Sequence, residues 1–265
     1  MTFIRKLWAF GIQQALSCIF PVIIFAALGV TKMVEVPGIH RYDLILIICL
    51  LAQVGMVAAK LETFDELKVI CVFHVIGLML ELYKVHMGSW SYPEEGWSKI
   101  GGVPLYSGFM YASVASYICQ AWRRMNLRIT GWPLPILTVL ISAAIYANFF
   151  THHFVWDARW LLTLLLFLVF LKTVVHFDVL GKTYRMPLTL SFLLIGFFIW
   201  IAENISTFLG AWTYPGQEKV WSLVHIGKIS SWFLLVVISL IIVAQLKHLK
   251  LGKRPAKDAP KGTVM

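Results

Sequence analysis

Glu81-Leu-Tyr-Lys84-Val-His86-Met-Gly88-Ser89-Trp90-Ser91-Tyr92-Pro93 and, 122 residues later, Glu203-Asn204-Ile-Ser-Thr207-Phe-Leu-Gly210-Ala211-Trp212-Thr213-Tyr214-Pro215 decide how this chain is read. Both stretches fit Glu-x6-Gly-[Ser/Ala]-Trp-[Ser/Thr]-Tyr-Pro without a gap. In each, the Glu lies inside an apolar run and the Gly-Trp-Tyr-Pro part ends it. A carboxylate in hydrocarbon costs a few kcal/mol, so an intramembrane acid is a candidate functional group. Two acids at one spacing point to a duplicated architecture with a polar site between its halves.

The rest of the chain agrees with a membrane setting. Apolar residues make up 59% and charged residues 14%, against roughly half and a quarter in soluble domains. The apolar surplus comes in long blocks, as in a polytopic membrane protein. The net charge of +10 does not indicate nucleic acid, because the basic residues are scattered over short loops and a tail. Cys18, Cys49, Cys71 and Cys119 all lie in apolar segments without paired spacing, so neither a disulfide framework nor a zinc site is expected. The stretch 1–30 carries Arg5 and Lys6 before an apolar run, but Gln13-Gln14 interrupts it, and an uncleaved first helix is expected.

Apolar run length predicts an all-α, polytopic transmembrane bundle of about eight helices. The spans fall near 15–34, 42–59, 68–87, 103–121, 133–150, 159–176, 187–209 and 222–244. Putting the N-terminus inside leaves 16 Lys and Arg on the inner side and seven on the outer, which favours cytoplasmic termini. Both motif loops then face outward. A 122-residue period holds four spans, giving pseudo-symmetric four-helix halves over 1–122 and 123–246. The segment 247–265 is basic, contains Pro255 and Pro260, and reads as a disordered cytoplasmic tail. The expected setting is a bacterial inner membrane.

At 1.5 Å per residue, Glu81 and Glu203 lie on the order of 10 Å inside their helices, too deep for a short side chain to snorkel. His74 shares a helix face with Glu81. Lys84, at i,i+3, is the expected counter-ion of Glu81. Lys228 is its counterpart for Glu203, and His225 shares its face in Trp221-Ser222-Leu-Val-His225-Ile-Gly-Lys228. These five, Glu81, Glu203, Lys84, Lys228 and His225, are the candidate catalytic set. Trp90, Tyr92, Trp212, Tyr214, Asn204 and Asn148 are candidate substrate contacts, although Trp and Tyr also gather at membrane interfaces for their own reasons. His152, His153 and Asp157 in Asn148-Phe-Phe-Thr151-His152-His153-Phe-Val-Trp156-Asp157 suit a metal by ligand type only; an interfacial polar cluster fits them as well. No cofactor signature is present: Walker, dinucleotide, Gly-x-Ser-x-Gly and extended metal motifs are all missing.

Gly88-Ser-Trp-Ser-Tyr-Pro93, Gly102-Val-Pro-Leu-Tyr-Ser-Gly-Phe-Met-Tyr111, Asn148-Phe-Phe-Thr-His-His153 and Trp200-Ile-Ala-Glu-Asn-Ile205 resemble the YoaT-like family of bacterial integral membrane proteins. The resemblance covers nearly the whole chain. It implies a polytopic membrane protein and brings no activity with it. A looser similarity is to the membrane lycopene cyclases and carotenoid hydratases, echoed by Glu81, Trp90, Tyr92 and Pro104-Leu105. The acidic pair that follows Pro-Leu in the cyclases is replaced by Tyr106-Ser107, which argues against cyclisation itself.

Three functions fit. The first is an intramembrane enzyme on a lipid or polyprenoid, with a buried Glu as general acid and aromatic faces steadying a cation. The second is a small-molecule or proton-coupled transporter, which pseudo-symmetric halves suit but the lack of Gly- or Pro-broken helices does not. The third is a membrane assembly factor. Lipid is the expected partner, and the substrate is not legible.

Topology is directly testable. In a background free of the four natural cysteines, cysteines at positions 95 and 217 should react with an impermeant maleimide from outside the cell. Labelling only after the membrane is opened would reverse the orientation.

Overall fold

The computed structural model of the protein describes residues 3–252. Among them are nine helices: α1 (Phe3–Ser17), α2 (Ile19–Met33), α3 (Arg41–Ala58), α4 (Phe64–His86), α5 (Ser107–Arg124), α6 (Pro135–Thr151), α7 (Arg159–Val169), α8 (Leu188–Phe208) and α9 (Lys228–Gly252). Five short strands join them: β1 (Lys99–Ile100), β2 (Val103–Pro104), β3 (Arg128–Thr130), β4 (Val174–Val179) and β5 (Lys182–Pro187). The mainly helical membrane fold expected from the sequence is present. Most of the expected tail, from 253 onward, lies outside the described residues; α9 itself continues to Gly252.

Three helices, α3, α4 and α8, are long and apolar enough to cross a bilayer, with 18, 23 and 21 residues. α1 and α2 qualify together, but they are bent by 66° at Cys18. The single first span expected over 15–34 is therefore a bent pair. α6, α7 and the Lys228–Ala244 part of α9 are apolar but shorter. Outward faces carry large exposed apolar side chains such as Leu51, Val54, Leu168 and Phe198, which suits hydrocarbon rather than water.

The expected sixth span, 159–176, is corrected. α7 stops at Val169, and the apolar residues that follow belong to β4. Run length cannot separate a short buried strand from the end of a helix, and Val174-Val175-His-Phe-Asp-Val179 is β-branched and alternating. β4 pairs antiparallel with β3 and β5. Val175, Phe177 and Val179 face inward; Phe177 and Val179 meet Ala121, Met125 and Phe10, and Val175 joins the main core. The two-residue turn puts both Leu180 (φ 50°) and Gly181 (φ 72°) in the left-handed region that tight hairpins need. The hairpin as a whole runs over 174–187.

α4 starts at a full capping box, Thr63 with Glu66. Nearby, buried Glu62 accepts from Gln53 and Ser116, and Arg123 donates to Glu66 at 3.2 Å, fastening α3 and α4 to α5. α4 and α5 form the most extensive helix pair, built on small residues: Gly77 on one side, and Gly108, Ala112, Ala115 and Ser116 on the other. A second fastener is Arg41. Its guanidinium reaches Glu94 (2.5 Å), the Leu28 carbonyl (3.1 Å) and the Leu209 carbonyl (2.8 Å), so it ties α2 and α3 to the end of α8.

Gln217 is buried and accepts from the Tyr214 N–H, so exposed Glu218 is the better reporter of that loop in the labelling experiment. A Cβ added at Gly77 would lie 2.6 Å from the Tyr111 ring. Gly77→Ala should therefore destabilise the protein by about 1–3 kcal/mol, the usual cost of overpacking, seen as a lowered thermal midpoint in detergent. An unchanged midpoint would mean that this helix crossing is looser than described.

Candidate functional site

The two motif copies end their helices in the same way. α4 stops at His86 and α8 at Phe208, and Gly88 (φ 68°) and Gly210 (φ 74°) take the left-handed turn that reverses the chain. Gly88 N–H bonds to the Val85 carbonyl at 3.0 Å, and Gly210 N–H to the Thr207 carbonyl at 3.0 Å. The two loops then pair with each other. Ser91 N–H donates to Thr213 O (3.0 Å), Thr213 N–H donates to Ser91 O (2.9 Å), and their hydroxyls lie 3.2 Å apart. This reciprocal bridge joins equivalent residues of the two copies.

The turn sends the Trp and Tyr side chains back toward the helix they have just left. Glu81 accepts from Trp90 Nε1 (2.7 Å) and Tyr92 OH (2.8 Å) on one oxygen, and from Tyr111 OH (2.8 Å) on the other. Glu203 accepts from Tyr214 OH and from Trp232 Nε1 (2.6 Å). The two clusters touch edge to face, with the Trp90 and Tyr214 rings 5.9 Å apart. Both carboxyls are almost wholly buried, at 4% and 2% exposure. Burial and the neighbouring Glu81 hold the Tyr92 hydroxyl well above its usual range, so it is a firm donor.

Two cavities meet at this aromatic–carboxyl wall. One, of about 770 Å³, is apolar and runs between α1, α2, α5, α8 and the sheet, past Phe25, Val114, Phe192 and Ile195. Glu81 lines it. The other, of about 300 Å³, lies among α4, α6, α7 and α9. Its polar side carries three cations, Lys84, Arg159 and Lys228, with His152 and His153 beside them. Trp90, Tyr111, Glu203, Tyr214, Trp232 and Leu235 border both cavities.

Lys84, 3% exposed, places its ammonium 3.0 Å from the Phe149 carbonyl, 3.1 Å from His153 Nε2 and 3.4 Å from His152 Nε2. Burial first, and Lys84 next, hold both imidazoles below their ordinary range, so at neutral pH they are uncharged and can accept from that ammonium. Lys228 stands 4.6 Å above the Tyr214 ring and 5.6 Å above Trp90. Arg159 is bound to Asp157 at 2.7 Å. Burial acts against the Asp157 charge, but hydrogen bonds from the Arg159 N–H and Asn148 and the Arg159 charge outweigh it, leaving the carboxyl ionised.

The family model described as "Protein of unknown function (DUF817)" matches residues 6–240. The chain is 62% identical over 250 residues to the uncharacterized protein YoaT of Bacillus subtilis (strain 168), covering 94% of this chain and 95% of that one. The chain belongs to this family. Its fold is similar to that of the mycobacterial Insig homologue MvINS from Mycobacterium vanbaalenii: TM-score 0.50, 14% identity, 73% of this chain and 97% of that one. A cross-linked trimer of an MvINS variant aligns equally well. At this identity the likeness speaks for the fold alone. The similarity to carotenoid enzymes is not among what these comparisons show.

Within this family member, several sequence expectations are corrected. Neither Lys84 nor Lys228 forms an ion pair with Glu81 or Glu203: tyrosine and tryptophan donors occupy the carboxyl oxygens, and the Lys228 charge acts on Glu203 only from further off. His225 is exposed, and its Nδ1 accepts from Gly227 N–H, because α9 begins only at Lys228 and the expected helical face is absent. Asn204 bonds the Trp200 carbonyl and the Val224 N–H, so it staples the strand-like approach to α9 onto α8 and lines neither cavity. Asn148 lines the cationic cavity and also holds Asp157 (3.2 Å) and Ala158 N–H (2.8 Å). Trp212 lines the apolar cavity. His74 packs on Phe109, away from the site. Among the described residues no three His, Cys, Asp or Glu side chains come together as a metal site, and His152 and His153 face an ammonium instead. The sequence reading gave no role to Tyr111, Trp232 or Arg159. The first two lacked any signal beyond being aromatic residues within apolar helices.

The donor sets make a clean prediction. In Glu81→Gln, the remaining oxygen can serve Trp90 and Tyr92 while the new amide donates to Tyr111, so stability should change by less than about 1 kcal/mol. Glu81→Leu strands three buried donors at about 1–3 kcal/mol each. Thermal unfolding of both variants in detergent tests this; equal loss would mean that the carboxyl is held by something other than these bonds.

Proposed function

We propose that the protein is an intramembrane enzyme that acts on a lipid or polyprenoid by proton transfer from a buried carboxyl. What carries this reading is the position of Glu203. It borders the apolar cavity and the cationic cavity at once, where a chain and its polar end would meet. It has two donors against three on Glu81, so it has more capacity to exchange a proton with a bound molecule. Glu81 then acts as a fixed acceptor that orients Trp90, Tyr92 and Tyr111, and the faces of Trp90 and Tyr214 border the place where positive charge would develop. The cavity volumes suit small-molecule ligands, whose sites run to about 300–1,000 Å³.

In the same reading, residues 1–122 and 123–246 descend from one duplicated four-helix unit. The matched helix ends, the paired glycines and the reciprocal Ser91–Thr213 bridge support it. The protein sits in a bacterial inner membrane with both termini cytoplasmic and the paired loops outside. A proton-coupled carrier is the alternative to an enzyme.

Glu203→Gln decides the point. The amide can still serve Trp232 and Tyr214, so the variant should fold and insert as the parent does. It should fail to reverse the change that untargeted lipid profiling finds in a deletion strain. Full rescue by the folded variant would defeat the proton-transfer reading.

A further inference from the structure

The cationic cavity has a composition that the proton-transfer reading does not require. Lys84 and Lys228 reach it from α4 and α9, and Arg159 from the start of α7. Among the described residues neither lysine has a carboxylate in ion-pair range; the ion pairs of the protein lie elsewhere, and the one at this cavity, Asp157 with Arg159, uses its own guanidinium. The partners that the lysines do have are a carbonyl, two imidazoles and aromatic faces. None of these neutralises a charge. A buried ammonium without a counter-charge is costly to hold. Lys84 is buried and Lys228 half-buried beside one cavity of about 300 Å³, and the nearest carboxyls, Asp157 and Glu203, act on them only from beyond ion-pair range while held by Arg159 and by Tyr214 and Trp232, which leaves room for a small anion between the two ammonium groups.

The neighbouring surfaces say what the anion is attached to. Across the Trp90–Tyr214–Trp232 wall lies the apolar cavity of about 770 Å³, lined mostly by apolar side chains with few polar groups. A ligand filling both would carry a compact anionic end and one long apolar chain. Two lysines without an ion pair match the charge of a phosphate monoester, about −1.5 to −2 at neutral pH, better than that of a diester or a carboxylate. The small volume also excludes a large headgroup. Arg159, paired with Asp157, adds guanidinium N–H donors to the lining, and His152 and His153 hold the Lys84 ammonium in place through their Nε2 atoms.

We propose that Lys84 and Lys228 bind the phosphate of a long-chain alcohol monophosphate whose apolar chain lies in the adjoining cavity. This rests on the lipid reading above and narrows its substrate class. It also makes the two lysines the head-group ligands in place of the counter-ion role expected from the sequence.

The test uses the full chain purified in a neutral detergent, with tryptophan fluorescence as the signal, since Trp90 and Trp232 border both cavities. The probes are geranylgeranyl monophosphate, geranylgeraniol and inorganic phosphate. The monophosphate should bind at least about tenfold tighter than the alcohol, one factor of ten being about 1.4 kcal/mol. Inorganic phosphate should compete only weakly. Lys84→Gln and Lys228→Gln should each remove most of the advantage of the phosphate and leave alcohol binding as it was. Equal binding of ester and alcohol by the unmodified protein overturns the proposal without need of any variant. Competition by inorganic phosphate at the affinity of the ester shows a site for the free anion and overturns the lipid part. Glu203→Gln separates the two levels: head-group discrimination that fails while this variant still loses function leaves the proton-transfer reading standing, and discrimination that holds while the variant keeps function leaves a binding protein.

Discussion

Two carboxyl groups taken out of solvent set the terms for the centre of this protein. A buried carboxyl is tolerated only when donors meet its oxygens. Glu81 and Glu203 obtain those donors from tyrosine hydroxyls and indole N–H groups, which are bulky, apolar around the rim and polar at one point. All five donors come from loops or from a partner helix, so neither acid is satisfied until α4, α5, α8, α9 and both loops are assembled. The reciprocal Ser91–Thr213 bridge then fixes the loops against each other, and Arg41, Tyr42 and Tyr106 hold the second loop at the carbonyls of Leu209 and Ala211. The polar centre thereby specifies the tertiary arrangement of a bundle whose apolar contacts alone would discriminate little in lipid.

The same wall divides a space in two. Aromatic rings are suited to this, because one face can border hydrocarbon while an edge carries a hydrogen bond into a polar cluster. Trp90 does both: its N–H serves Glu81, and its ring meets Tyr214 and stands beneath Lys228. In the proposed reading, the cationic compartment selects an end group and the apolar compartment selects a chain. The division explains why the lysines stay off the carboxyls. Had Lys84 paired with Glu81, as i,i+3 spacing allows, both charges would have been spent on each other and neither cavity would have a chemical preference.

The membrane class, the principal helices and the two acids were legible in the sequence, because apolar run length and a repeated Glu are one-dimensional signals. The partners of those acids were not. Tyr111 and Trp232 are single aromatic residues in apolar helices, and only the crossing of α4 with α5 and of α8 with α9 brings them onto an oxygen. The counter-ion expectation failed for a related reason: i,i+3 proximity says that two side chains can meet, whereas a loop folding back supplied donors that do not require a second buried charge. His225 and the sixth span failed on boundaries. Residues before Lys228 continue an apolar composition without continuing a helix, and Val174–Val179 reads equally as strand or helix until its pairing with β3 and β5 is seen. His152, His153 and Asp157 were correctly placed together in sequence, yet Asp157 turns to Arg159 and the imidazoles turn to Lys84, which a ligand-type argument cannot foresee.

α9 links the two compartments mechanically. Lys228 is its first residue and faces the cationic cavity; Trp232, four residues on and so on the same face, holds Glu203. A molecule that draws the Lys228 ammonium away from the Tyr214 ring therefore acts one helical turn from a donor of Glu203, and Tyr214 itself is the other donor. Both hydrogen bonds to that carboxyl lie next to the group that would sense an anion. Glu81 is connected less directly: Trp90, one of its three donors, also lies 5.6 Å from the Lys228 ammonium, but Tyr92 and Tyr111 hold the carboxyl from the first loop and α5. The asymmetry between two otherwise matched acids thus lies in how many of each acid's donors stand at Lys228, and in the proposed reading it gives the responsive role to Glu203 and the fixed one to Glu81.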